Sequence, residues 1–155
     1  MQWRCIAPSP DNKAAFVCET SLLRRYKEAL RIEEAHLGHV SIEVAASLNN
    51  LALLYYRYYS DRLDEAEEMF KETLRIEEIR VGHDSLDVAR TLDNLALLHE
   101  KQDRLADAEA VYKEGLRIYQ LKLGPDAPET VALRERLLTL HPPVLSDIVT
   151  DEAES

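Results

Sequence analysis

Leu48-Asn49-Asn50-Leu51-Ala52-Leu53-Leu54 returns almost unchanged as Leu92-Asp93-Asn94-Leu95-Ala96-Leu97-Leu98, forty-four residues later. Self-similarity at a period near 40 marks a chain built from stacked supersecondary units rather than one irregular core. Stacked units present an extended concave surface, and such surfaces bind other proteins.

The repeat extends outward from this core. The linker Leu37-Gly38-His39-Val40-Ser41-Ile42-Glu43-Val44 aligns with Val81-Gly82-His83-Asp84-Ser85-Leu86-Asp87-Val88 and with Leu123-Gly124-Pro125-Asp126-Ala127-Pro128-Glu129-Thr130. The offsets are 44 and then 42 residues, and the two-residue excess falls at Tyr58-Tyr59-Ser60, in a turn that tolerates insertion. Gly38, Gly82 and Gly124 suit a left-handed position after a helix. Ser41 and Ser85 are expected to cap the next helix, with Glu43 and Asp87 complementing its positive end. In the third copy Pro128 is the expected first helical residue.

Apolar residues then run at helical spacing: Val44, Leu48, Leu51, Ala52 and Tyr55, and again Val88, Leu92, Leu95, Ala96 and His99. Ala52 and Ala96 let a partner helix approach closely. A second helix follows in each unit, with Leu63, Ala66, Phe70 and Leu74, then Leu105, Ala108, Tyr112 and Leu116. Asp61-Arg62 and Asp103-Arg104 mark the turns before them. The expected class is all-α, a right-handed α-solenoid of antiparallel helix pairs.

The spacing Leu48-x2-Leu51-Ala52-x2-Tyr55 with Ala66-x3-Phe70, repeated as Leu92-x2-Leu95-Ala96-x2-His99 with Ala108-x3-Tyr112, resembles the tetratricopeptide repeat signature. The longer period, the Asn-Leu-Ala-Leu-Leu core and the Leu-Gly-x-Asp-x-Pro linker are similar to the 42-residue variant of kinesin light chains. HEAT and armadillo units share the period but lack the alanine-then-aromatic spacing. The resemblance covers roughly residues 20–141.

The pattern breaks at both ends. Tyr26-Lys27-Glu28-Ala29-Leu30-Arg31-Ile32 matches Phe70-Lys71-Glu72-Thr73-Leu74-Arg75-Ile76, so it belongs to a second-type helix whose first-type partner is missing. Val131 to Leu140 resembles a first-type helix, with Arg134 where Leu48 and Leu92 stood. The chain therefore reads as an irregular leader over 1–17, a repeat domain over 18–141 with two full repeats between two half-repeats, and a disordered acidic tail over 142–155. About three repeats are needed for stability. A lid formed by Trp3 and Ile6, or a homodimer through the raw end, would compensate.

A net charge of −10 argues against nucleic acid or an anionic membrane as the main partner. Cys5 and Cys18 fit neither a metal spacing nor a disulfide framework and read as reduced thiols of a cytoplasmic protein. Residues 1–8 lack the apolar core of a secretory signal, and no run approaches 18 apolar residues. No nucleophile elbow, phosphate loop or HExxH motif is present, and the histidines offer too few converging ligands for a metal. Neither an enzyme nor a cofactor is expected.

With the first-type helix of each unit called A and the second-type helix B, Ala46, Asn49, Asn50, Leu53 and Arg57 share the side of the first full A helix that faces away from its packing stripe. The matching set is Arg90, Asp93, Asn94, Leu97 and Lys101, followed by Ala132, Glu135 and Arg136. The resemblance implies that this face lines a concave groove and that Asn50 and Asn94 bond the main chain of a bound peptide. An amide offers both a donor and an acceptor for that task. Bracing neighbouring helices is the alternative role for both. Kinesin light chain grooves are basic, whereas Arg57, Arg90, Lys101 and Arg136 here face Asp93, Glu100 and Glu135 in near balance. The Lys and Arg constellation of carboxylate-clamp adaptors is incomplete. Tyr55 reads as core, while Tyr56, Tyr58 and Tyr59 suit either a partner or packing around the turn. The acidic tail is also a candidate pseudo-ligand for the groove.

The expected function is protein–protein interaction through a peptide or protein segment, with Asn49, Asn50, Leu53, Tyr56, Arg57, Arg90, Asp93, Asn94, Leu97, Lys101 and Arg136 as its contacts. The alternative is an oligomerisation module that pairs through exposed repeat ends.

Overall fold

The computed structural model describes residues 13–140, with side chains described over 21–140. The expectations for Cys5, for a Trp3–Ile6 lid and for the tail over 142–155 lie outside the described residues, and that for the Cys18 thiol lies outside the described side chains. Six helices account for the described chain: α1 (Lys13–Leu37), α2 (Ile42–Tyr58), α3 (Leu63–Val81), α4 (Leu86–Lys101), α5 (Leu105–Leu123) and α6 (Pro128–Leu140), with a single 3-10 turn at Ser60–Arg62. No strand occurs among the described residues. The class is the all-α helical repeat. Helix α1 takes in residues 13–17, which the sequence reading gave to the irregular leader. That leader is helical in its last five residues.

Local chemistry sets the helix ends. Ser41 Oγ accepts from Val44 N at 3.1 Å, and Ser85 Oγ accepts from Val88 N at 3.2 Å. Each bond satisfies one of the orphan donors of a first turn. Glu43 and Asp87 occupy those turns beside the positive helix end. Pro128 opens α6, where its missing N–H leaves nothing unsatisfied. Gly124 has φ 92° and ψ 168°, which is not the left-handed helical basin expected of it. It lies in an extended region of positive φ that glycine alone visits readily.

The two A-to-B corners differ as the repeat offsets require. After α2, Tyr59 and the 3-10 turn reach α3, with Arg62 N bonded to Tyr59 O at 3.0 Å. After α4, itself one residue shorter than α2, the connection is also one residue shorter, and Asp103 takes φ 60° to close it. Asp103 N bonds Glu100 O at 2.9 Å, and Arg104 N bonds His99 O at 2.9 Å. A short polar residue tolerates this left-handed geometry better than most.

By contact the chain divides into two compact units, Met1–Arg80 and Val81–Ser155. In the first, Val44, Ala45 and Leu48 of α2 meet Ile76 of α3, with Leu30 of α1, Ile42 and Met69 packed around them. Ala52, Ala66, Phe70 and Tyr55 are fully buried. In the second, α5 packs against both α4 and α6. There Val88, Ala89, Ala96, Leu98, Ala108 and Ile118 are fully enclosed. Leu105, expected on the inward stripe, is instead 41% exposed at the first turn of α5. Gly115 sits where α4 and α6 both come close: a Cβ there would lie 3.3 Å from Asp93 Oδ1 and 3.5 Å from Leu133 Cδ2.

Candidate functional site

In the first unit the α2 stripe Val44, Leu48, Leu51, Ala52 and Tyr55 is buried, which leaves the opposite side for contact. Asn50 and Arg57 are exposed there, while Asn49, Leu53 and Tyr56 are half-buried. Asn49 and Tyr56 are engaged with neighbouring groups. The tyrosine cluster divides. Tyr55 is core, its ring covered by the Arg62 guanidinium at 4.8 Å and by Lys27 Nζ at 5.7 Å. Tyr59 packs on Tyr55 with ring centroids 5.4 Å apart, so it belongs to the corner. Tyr56 and Tyr58 retain partial exposure.

In the second unit the same positions of α4 carry Arg90 and Lys101, both exposed, with Asp93, Asn94 and Leu97 half-buried. Asn94 and Lys101 are engaged with neighbouring groups. Arg90 is paired to Asp87 one turn earlier. Asp93 turns toward α5, where Oδ2 accepts from the Tyr119 hydroxyl at 3.0 Å. Its Oδ1 is buried without a hydrogen-bond partner, beside Gly115. Burial pushes the Asp93 carboxyl up to about 6, against the smaller opposing effects of the Tyr119 bond and the Arg136 charge. Tyr119 is raised by burial and by the Asp93 charge beside it.

Arg136 of α6 reaches Glu100 of α4. Its Nε lies 2.8 Å from Oε1 and its Nη2 lies 3.1 Å from Oε2, a two-pronged contact that matches guanidinium to carboxylate. The Tyr112 hydroxyl of α5 donates to the same Oε1 at 2.5 Å, and the Arg136 guanidinium lies 5.7 Å from the Tyr112 ring centroid. The bond from Arg136, followed by that from Tyr112, holds the Glu100 carboxyl below the usual carboxylate range despite partial burial. Burial first, and then Glu100, raises the Tyr112 hydroxyl.

Of the residues expected to bind, Arg90, Asp93 and Arg136 thus already have partners within the second unit. Sequence reasoning placed Glu100 opposite the cations but missed the hydroxyls that organise both carboxylates. The signal lay in the repeat itself. Tyr112 replaces Phe70, Tyr119 replaces Glu77, and Gly115 stands in a column of small residues with Ala29 and Thr73. Among the described residues no group of three or more His, Cys, Asp or Glu side chains is placed to hold a metal ion. No described helix is long and apolar enough to cross a membrane.

Comparison with known proteins agrees with this geometry. The family model for the tetratricopeptide repeat matches residues 43–121. Among solved structures, the crystal structure of BtubC (BKLC) from P. vanneervenii is similar, with 25% identity and a TM-score of 0.66. The likeness covers 79% of this chain and 49% of that one, so the chain spans about half the length of the neighbour. A search of curated proteins gives no match. Tetratricopeptide repeats are generally non-enzymatic scaffolds for protein–protein interaction. With paired helices, buried alanine-and-aromatic columns and a model match over half its length, the chain belongs to the tetratricopeptide repeat family, in the long-period form similar to kinesin light chains.

Proposed function

We propose that the chain is a non-enzymatic binding module that holds a short linear peptide or extended protein segment on the A-helix faces turned away from the core. The observation that carries this reading is a recurring trio. Asn50, Leu53 and Arg57 in one unit, and Asn94, Leu97 and Lys101 in the other, keep full or partial exposure on helices whose opposite stripe is buried. Asparagine bonds a peptide main chain regardless of sequence, leucine supplies an apolar floor, and the cation adds charge selectivity. Asn49, Tyr56, Arg90, Asp93 and Arg136 flank the trios and complete the proposed contact set.

The test begins with a random-dodecamer phage library selected on the full chain, followed by titration of a recovered peptide in solution. Asn50→Ala and Asn94→Ala should each weaken it by about 1 kcal/mol or more, the loss expected when a hydrogen-bond partner is removed. Failure to recover any peptide, or unchanged affinity in a folded Asn94→Ala chain, refutes the reading.

A second reading, self-association through repeat ends, has its own support. Ile32 is 45% exposed where its counterparts Ile76 and Ile118 are fully buried. Leu138 is 61% exposed where Ala52 and Ala96 are fully buried. Light scattering across a concentration series decides it. A monomer at every concentration counts against this second role.

A further inference from the structure

We propose that the outer face of α1 is a dimer interface, on which the α1 of a second copy of this chain lies antiparallel with Ala29 at the crossing point. This surface rests on the self-association reading and gives it a register.

The B helices of the two full repeats show what this face carries when it is covered. Leu22, Tyr26, Ala29 and Ile32 of α1 match Ala66, Phe70, Thr73 and Ile76 of α3, and Ala108, Tyr112, Gly115 and Ile118 of α5. The residues of α3 and α5 are all buried. In α1, Leu22 is 40% and Ile32 45% exposed, Ala29 is exposed and Tyr26 is half-buried. In each full repeat the covering helix is the preceding A helix, which a connection of three or four residues turns back antiparallel. Its closest approach falls on the small residue of the column. Thr73 Oγ1 reaches the main-chain oxygen of Ala45 at 3.4 Å, and a Cβ on Gly115 would lie 3.7 Å from that of Ala89. Ala29 is therefore the point where a helix laid on α1 would come nearest.

Charge selects the occupant. Offsets of three and four residues share a helix face, and about Ala29 the face of α1 complements its own reverse. Tyr26 and Ile32 stand three residues before and after Ala29, and Arg25 and Glu33 stand four before and after it. An antiparallel copy crossing at Ala29 sets Tyr26 against the partner's Ile32 and Arg25 against the partner's Glu33. Two-fold symmetry makes each contact twice. Each Arg–Glu pair then lies one turn, about 6 Å along the axis, from the centre. Both groups are unspent. Arg25 is exposed and forms no ion pair among the described residues, unlike Arg31, which Glu28 holds. Glu33 is half-buried, with Oε2 shielded from solvent and lacking a hydrogen-bond partner. An orphaned carboxylate oxygen is a cost that a guanidinium brought alongside removes. Helix α6 of a second copy fits worse. It is an A-type helix, and the register that joins Asp93 to Tyr119 would set its Glu135 against Glu33, two like charges.

Analytical ultracentrifugation of the full chain across a concentration series reads the pairing. Wild type should show a monomer–dimer equilibrium. Arg25→Glu and Glu33→Arg each place two like-charge pairs in the interface, and each should raise the dissociation constant at least tenfold. Mixing the two single variants in equal amounts should restore a dimer of wild-type affinity, because each then meets the opposite charge on the other. The combined Arg25→Glu/Glu33→Arg chain should again pair with itself. Circular dichroism at the lowest concentration checks that each monomer is folded. Ala29→Leu, at a position exposed in the monomer, holds the helices apart and should weaken the dimer with helicity unchanged. Self-association that neither charge reversal weakens, or that mixing fails to restore, overturns the α1 pairing and leaves self-association through another end standing. A wild-type chain that stays monomeric at every concentration refutes the self-association reading itself, and this pairing with it.

Discussion

Replacing Asp93 by asparagine removes a charge that the second unit holds at a cost. The carboxyl lies between α4 and α5 with one oxygen bonded to Tyr119 and the other without a partner, and burial raises it from 3.8 to about 6. A folded-state value above the unfolded one means that stability from this group is complete below about 3.8 and is lost as pH rises through about 6. The full rise corresponds to about 3 kcal/mol against the ionised form. Asp93 is only half-buried, and solvent screening reduces this to about 1–2 kcal/mol. Asparagine keeps an oxygen for Tyr119 and carries no charge, and the first unit already has Asn49 at this position. Asp93→Asn should therefore stabilise the chain by about 1–2 kcal/mol at pH 7.5, or a few degrees in Tm. At pH 4 the gain should shrink below about 0.5 kcal/mol. Urea unfolding followed by circular dichroism at both pH values measures it. A variant no more stable than wild type at pH 7.5, or one with the same gain at pH 4, refutes the reasoning.

Other substitutions probe the rest of the architecture. Ser41→Ala and Ser85→Ala each remove an N-cap bond and should cost about 1 kcal/mol in urea unfolding. Gly115→Val forces branched carbon into the space held by Asp93 and Leu133 and should destabilise by about 1–3 kcal/mol, lowering Tm in a thermal melt. Gly124→Ala meets no steric neighbour, yet its φ of 92° should cost about 1–3 kcal/mol of backbone strain, seen as a lower urea midpoint.

What could be read before the structure, and what could not, follows from the range of the interactions. Ser41, Ser85 and Pro128 act within one turn of their own helix, so a linear reading suffices for them. The packing columns Ala52, Ala96, Phe70 and Tyr112 are legible because the repeat shows each position twice. The left-handed Asp103 is not legible, since the offset between repeats locates a shorter corner without saying which residue bends. The beginning of α1 was missed because Pro8 and Pro10 suggested an irregular segment as far as residue 17. Asp93 and Arg136 were read as groove contacts from their side of the helix. Their actual partners, Tyr119 and Glu100, lie 26 and 36 residues away in sequence, where helical periodicity carries no information.

The longer corner after α2 has a practical consequence. Of the two additional residues, one lengthens α2 and one lengthens the connection through Tyr59 and a 3-10 turn, while α2 and α3 keep the same flanking columns as α4 and α5. A connection that already differs in length between sister units is a natural splice site for a foreign epitope or a fluorophore-bearing loop. Grafts between Tyr59 and Ser60 would leave the serine-capped entrances and glycine exits of the helices untouched, making this bend the place to instrument the scaffold.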